Sequence, residues 1–194
     1  MSGRPKIFDE AAVIDKAIAL FWTQGYEGTS TDALLEAMGI GKGSFYLAFK
    51  GGKKELFEKA LLQFSRRELT MLREILTASK DPIATLRNFF LDIAASPKKT
   101  HLKGCFMGNT IAELSSLDPS LTKQAAQLLK DLEALFLEVI RKAVENKQLK
   151  TQQDPVVLAR YLLNLWNGLG ITRRMYPDQK TLTDLIALQL TLLH

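Results

Sequence analysis

The sequence has little with which to do covalent or metal chemistry. Its single cysteine, Cys105, excludes an intramolecular disulfide and a cysteine-rich zinc site, and fits a reducing compartment. Its two histidines are His101 and the last residue, His194. No HExxH, GxSxG or paired-ligand motif occurs. No catalytic residue, metal site or cofactor is therefore expected. A trio of His101, Cys105 and Glu113 is conceivable as a ligand set, but its spacing alone does not make one. No run of about 18 apolar residues exists, so no membrane partner is expected. Met1-Ser2-Gly3-Arg4-Pro5-Lys6 is not followed by the apolar core of a signal peptide, and a cytoplasmic location is expected. Low-complexity segments, long linkers and internal repeats are also missing, and no stretch reads as a strand.

What is present is enough for a sizeable core: 194 residues, 46% hydrophobic and 24% charged. That length allows one domain or two small ones. Basic residues outnumber acidic ones by 26 to 21, and nucleic acid is one reading of this mild excess. The charge does not locate a binding face, because residues 1–54 hold seven Lys/Arg against six Asp/Glu.

Helical periodicity recurs along the chain. Ile14, Ala17, Ile18 and Phe21 share a face over 9–25, with Gly25 as a stop. Thr29-Ser30-Thr31 offers capping hydroxyls before Leu34, Leu35 and Met38, and Gly39 ends that helix. A short segment over 41–49 carries Phe45, Tyr46 and Phe49, and Gly51-Gly52 breaks it. A long helix is predicted over 53–78. Asp81-Pro82, Asp118-Pro119 and Asp154-Pro155 each place a capping Asp before a Pro at the first helical position. They predict helices over 82–96, 119–147 and 155–175, with a shorter one over 106–117 and a last one over 178–193. The fold class is all-α, with about nine helices.

Two short helices separated by Gly39-Ile40-Gly41 fit a helix-turn-helix. The second begins Lys42-Gly43-Ser44, with Tyr46 one turn on. A phosphate would meet backbone N–H groups, a hydroxyl and an ammonium there, and Lys42 can reach a guanine edge in a major groove. The glycine-rich run does not match a P-loop or a GxGxxG fingerprint, and no strand precedes it.

These residues carry a resemblance. Gly25-Tyr26, Thr29-Ser30, Ala37 to Tyr46, Phe49 and Lys53 to Phe57 resemble the N-terminal signature of the TetR (tetracycline repressor) family over about the first 60 residues. Arg4-Pro5-Lys6 ahead of the first helix is also common there. One departure is the pair Gly51-Gly52, where the usual pattern has a single small or polar residue; this looks like a one-residue insertion that loosens the junction. The resemblance implies that Thr31 contacts phosphate. It puts Lys42, Gly43, Ser44 and Tyr46 at the major groove, with Tyr46 on phosphate, and makes Lys50 and Lys53 backbone clamps. A basic arm containing Arg4 and Lys6 is suited to the minor groove. Phe21, Ile40, Phe45 and Phe49 are expected to be core.

The implied architecture is an N-terminal three-helix helix-turn-helix DNA-binding unit, residues 1–52. A larger helical ligand-binding and dimerisation domain, residues 53–194, follows it, joined by a continuous helix. The effector-binding candidates are Phe64, Leu86, Phe89, Phe90, Cys105, Met107, Asn109, Glu113 and Trp166, with Phe106 beside them. The bulky members are more often packed core than pocket wall, and Glu113 reads equally as an exposed or ion-paired carboxylate. Cys105 reads either as a small buried hydrophobe or as a sensing thiol helped by His101 and Lys103. A lone His101 is expected at the surface.

The helix over 155–175 is apolar on too much of its surface for one core face, and 182–193 is Leu-rich. A four-helix dimer interface through Leu158, Leu162, Leu165, Leu169, Leu185 and Leu192 is expected; burial within one subunit is the other reading. The partners implied are double-stranded DNA, a second copy of the chain and an unknown small-molecule effector. The function implied is a ligand-responsive repressor that leaves a palindromic operator when the effector binds. A helical carrier or partner-binding scaffold without DNA binding is the alternative.

Overall fold

The computed structural model describes residues 8–193, in which ten α-helices and one 3₁₀ turn are found and no strand. In order they are α1 (Glu10–Gln24), α2 (Thr31–Met38), α3 (Lys42–Ala48), α4 (Gly52–Ala78), α5 (Pro82–Ala94), α6 (Lys98–Lys103), α7 (Phe106–Leu114), α8 (Pro119–Glu145), α9 (Pro155–Met175) and α10 (Gln179–Gln189). The 3₁₀ turn Leu190–Leu192 follows. The helix missing from the sequence reading is α6. Its six residues are too few to show a period, and a proline, not a polar cap, precedes it. Arg4 and Lys6, read as a basic arm, lie outside the described residues.

Side chains start most of these helices. Asp9, Ser30, Asp81, Asp154 and Asp178 each accept a backbone N–H in the first turn of the helix that follows. Asp118 Oδ1 does so twice for α8, from Ser120 at 3.0 Å and Leu121 at 3.1 Å. All three Asp-Pro starts therefore work as caps, each contributing about 0.5–2 kcal/mol.

The chain divides into two compact units. One comprises the described residues up to Arg67 together with Asn109–Ala125; the other comprises Glu68–Gly108 and the residues from Ala126 onward. In the first unit Phe21, Phe45, Phe49 and Phe57 are fully buried, as expected for three of them from sequence, whereas Ile40 is only half-buried. Phe57 meets the ring edges of Phe21 at 4.8 Å and Tyr26 at 4.9 Å. Each buried ring stabilises the unit by about 1.5–3 kcal/mol through the apolar area it removes from water.

The second unit is built on a continuous apolar cluster. Leu72 and Leu76 of α4 meet Leu86 and Phe90 of α5, Phe136 and Ile140 of α8, and Leu162 and Leu169 of α9. Leu182, Ile186 and Leu190 close it from the C-terminal end. No helix among the described residues is long and apolar enough to cross a membrane.

Candidate nucleic-acid interface and effector cluster

The turn between α2 and α3 follows from one residue. Gly39 adopts φ 70°, ψ 33°, a left-handed conformation that a side chain disfavours. Its N–H donates to the carbonyls of Leu35 and Glu36, and the Ile40 N–H also reaches Leu35. This double closure is a Schellman ending. α3 then starts after Gly41, held from beneath by buried Phe45 and, one residue past its end, Phe49.

With those two rings inward, most of α3 faces solvent. Lys42, Gly43, Ser44, Tyr46 and Lys50 are all exposed, and Thr31 at the start of α2 is half-buried. Leu47, 68% exposed, joins them. In the sequence Leu47 looks like a core residue; its apolar side chain is suited to a thymine methyl group.

Lys53, expected as a backbone clamp, is held by groups of its own unit. Its ammonium donates to the carbonyls of Tyr26 at 3.0 Å and Thr29 at 3.1 Å, and lies 4.3 Å from the centroid of the Tyr26 ring. It braces the α1–α2 loop against α4. The Gly51-Gly52 junction is also tied down: Gly51 N–H donates to Glu55 Oε2 at 2.8 Å, and Gly52 N–H to Phe49 O at 2.9 Å. The Gly51 N–H bond holds the Glu55 carboxyl below its usual range, with Lys59 adding to the effect.

The expected effector residues fall in both units. Phe64, Asn109 and Glu113 belong to the first unit; Leu86, Phe89, Phe90, Cys105, Met107 and Trp166 belong to the second. Phe64 packs edge-on against Trp22 at 4.8 Å. Glu113, expected as a polar pocket group, instead accepts the backbone N–H of Tyr26 and of Glu27, so its carboxylate serves the loop after α1.

Within the second unit a cluster does form. The Trp166 indole stacks on Phe89 at 5.4 Å, and its N–H donates to Cys105 Sγ at 3.3 Å. Gly108 N–H donates to the same sulfur at 3.3 Å. Cys105 is buried, as are Leu86, Phe90 and Met107. His101, expected at the surface, is buried too, because α6 lays it against α9. Burial, then the nearby Arg173 charge, holds its imidazole below the usual value. Arg173 was not singled out from sequence, since an Arg near a helix C-terminus is ordinarily a solvated charge.

The residues expected at the dimer interface divide into two sets. Leu158, Leu162, Leu165 and Leu169 are at most 4% exposed and belong to the core of their own unit. The opposite face of α9 carries exposed Val157, Gly168, Ile171 and Met175. On α10 and the closing turn Leu185 is half-buried, and Leu188 and Leu192 are exposed.

Comparison with known proteins agrees with this architecture. Residues 13–60 match the family described as bacterial regulatory proteins, tetR family, and residues 82–188 match the tetracyclin repressor-like C-terminal domain. The HTH-type transcriptional regulator YezE of Bacillus subtilis (strain 168) is 30% identical over 193 residues, spanning 98% of this chain and 99% of the relative. The HTH-type transcriptional repressor ComR of Escherichia coli (strain K12) is 30% identical over 178 residues, 89% of this chain and 82% of ComR. The regulator CifR, solved as a cysteine-substituted form on 26-bp double-strand operator DNA, superposes with a TM-score of 0.82 at 25% identity, covering 97% of this chain and 98% of CifR. The chain belongs to the TetR family of bacterial transcriptional regulators; it is a regulator and not an enzyme.

Proposed function

We propose that the protein is a ligand-responsive transcriptional repressor that binds a palindromic operator as a homodimer in the cytoplasm and releases it when an effector binds. The observation that carries this reading is the α3 face: Lys42, Gly43, Ser44 and Tyr46, with Lys50 just past the helix end, are exposed above a fully buried Phe45 and Phe49. A recognition helix needs a rigid back and an open, donor-bearing front. CifR binds operator DNA and ComR is named as a repressor, which supports the same assignment. The carrier or scaffold reading gives that face no duty.

In this reading residues 1–52 are the DNA-binding domain and 53–194 the effector and dimerisation domain. Thr31 touches phosphate, Lys42 and Ser44 lie nearest the bases, and Tyr46 and Lys50 hold the backbone. Lys53 is kept as a brace. Pairing uses Val157, Gly168, Ile171 and Met175 with Leu185, Leu188 and Leu192. Gly168 suits a close helix crossing, since nothing of its own chain lies within 4 Å of where a Cβ would stand. The effector binds beside Cys105, Trp166, Phe89 and Phe90, with Leu86 and Met107 behind. Two recognition helices about 34–36 Å apart then enter successive major grooves, and an effector favouring a different separation lowers operator affinity by its differential binding to the two states.

The test is a titration of the purified protein against the DNA upstream of its own gene at several salt concentrations. Footprinted binding to a palindrome, much tighter than to unrelated DNA and weakening with salt, is expected. Equal, weak binding to every DNA sequence tried, including genomic fragments selected for binding, sinks the repressor reading.

A further inference from the structure

Arg173 stands seven residues after Trp166 and three after Gly170, so all three share one face of α9. That face meets the α6–α7 corner. A Cβ on Gly170 would lie 3.6 Å from both the backbone N and the Cβ of Cys105, an ordinary contact distance, so this corner packs closely on α9 between Trp166 and Arg173. Arg173 is only 7% exposed. Among the described residues no hydrogen bond or ion pair holds its guanidinium, and its Nε is shielded from solvent without a partner. The groups that act on its charge are Cys105 and Arg174, with no carboxylate among them; burial chiefly pulls its pKa down. The neighbouring Arg174, by contrast, donates to Lys103 O at 2.9 Å. His101 Nδ1, on the facing helix, is likewise shielded and unpartnered.

A buried guanidinium without a counter-ion is expensive for a fold to keep. The negative pole of α9 offsets part of the charge but gives Nε no acceptor. We propose that Arg173 is the anion-binding group of the effector site and that the effector is a small organic carboxylate with an apolar tail. The inference rests on the effector-site reading above. The guanidinium fork matches a carboxylate in geometry, and one unpaired positive charge balances one negative charge. At His101 burial and the Arg173 charge both disfavour the second positive charge that a phosphate dianion would need. The stacked Trp166 and Phe89, with Phe90 5.3 Å from Phe89, supply the apolar wall for the tail.

Calorimetric titration of the full-length protein tests this with benzoate and hexanoate against benzamide and hexanamide, which share shape but not charge. Both carboxylates are expected to bind at least tenfold tighter than their amides. Arg173→Met is expected to erase that preference and Arg173→Lys to keep part of it; where Arg173→Met does not fold, Arg173→Gln takes its place. Equal affinity for acid and amide overturns the proposal, as does a preference unchanged by Arg173→Met, or no carboxylate binding at millimolar concentration. An Arg173→Met chain that becomes monomeric also overturns it, because a partner's carboxylate would then be the counter-ion. The same preparations are titrated with operator DNA. Specific operator binding without a carboxylate effect sinks this inference and leaves the repressor reading standing; a carboxylate preference without specific DNA binding does the reverse.

Discussion

Glu113 grips Tyr26 by its backbone: Oε2 accepts the Tyr26 N–H at 3.0 Å while Oε1 accepts that of Glu27 at 2.8 Å. Gly25 makes the approach possible. Its φ is +79°, and a Cβ there would stand 2.8 Å from Oε2. Hydrogen bonds to a charged acceptor contribute about 1.5–3 kcal/mol each, less where water competes. Glu113→Ala is therefore expected to cost about 1–3 kcal/mol in urea unfolding. Gly25→Ala is expected to cost at least as much, since it adds strain at positive φ to the displaced carboxylate. A wild-type midpoint in both variants would show that the contact does not hold the loop.

Lys42 and Lys53 separate two jobs that look alike in sequence. Lys42→Ala is expected to weaken operator binding by about 1–3 kcal/mol if it reads a base edge, or to lower the salt slope by about one if it meets phosphate. Lys53→Met is expected to lower the melting temperature instead, because it removes the two carbonyl bonds of the loop brace and the contact with the Tyr26 ring. Its salt slope should match wild type. Parallel binding isotherms and melting curves on the two variants decide between these roles.

Much of this was legible in the chain because the signals were local. Asp-Pro pairs, Gly39 and the spacing of Phe45 and Phe49 act within a turn or two, and each produced the element it announces. What was illegible depends on distant partners. Leu162 and Ile171 are both apolar residues of α9, and only the packing of α5, α8 and α10 decides which one is core. Glu113 and Lys53 carry charges that read as ligand-directed until the loop at 25–29 is seen beside them. Arg173 lies at the end of a helix, where a cation needs no explanation, and its burial comes from α6, too short to be read from a pattern.

Asp118 supplies a pH test. A hydrogen bond from Lys54 at 2.6 Å, then those from the Leu121 and Ser120 N–H groups, hold its carboxyl below the usual carboxylate range. A carboxyl depressed in the folded state binds fewer protons there than in the unfolded chain. Its contribution is complete above the unfolded value of about 3.9 and is lost as pH falls through the folded value. Asp118→Asn should therefore melt below wild type near neutral pH, by a gap that stays constant down to about pH 5 and narrows below about pH 4. A gap that widens in acid would mean that the α8 cap is not ionised.

The two faces of α9 make a last pair of variants decisive. Leu162 is fully buried in the second unit. Leu162→Ala is expected to destabilise the protein by about 2–5 kcal/mol, the transfer and cavity cost of a core leucine. Ile171, 55% exposed, lies on the opposite stripe with Gly168 and Met175. Ile171→Asp puts a charge on a face already in water in the single chain, so it should leave the helical content of the monomer intact. In a dimer paired through this stripe, the same aspartate would be buried without a counter-charge. Sedimentation should then show the variant dissociating at concentrations where wild type stays dimeric. Operator binding should fall with it, since each half-site would have to be bound independently. An Ile171→Asp protein as dimeric as wild type would move the pairing surface elsewhere, and Leu188 and Leu192 would be the next positions to charge.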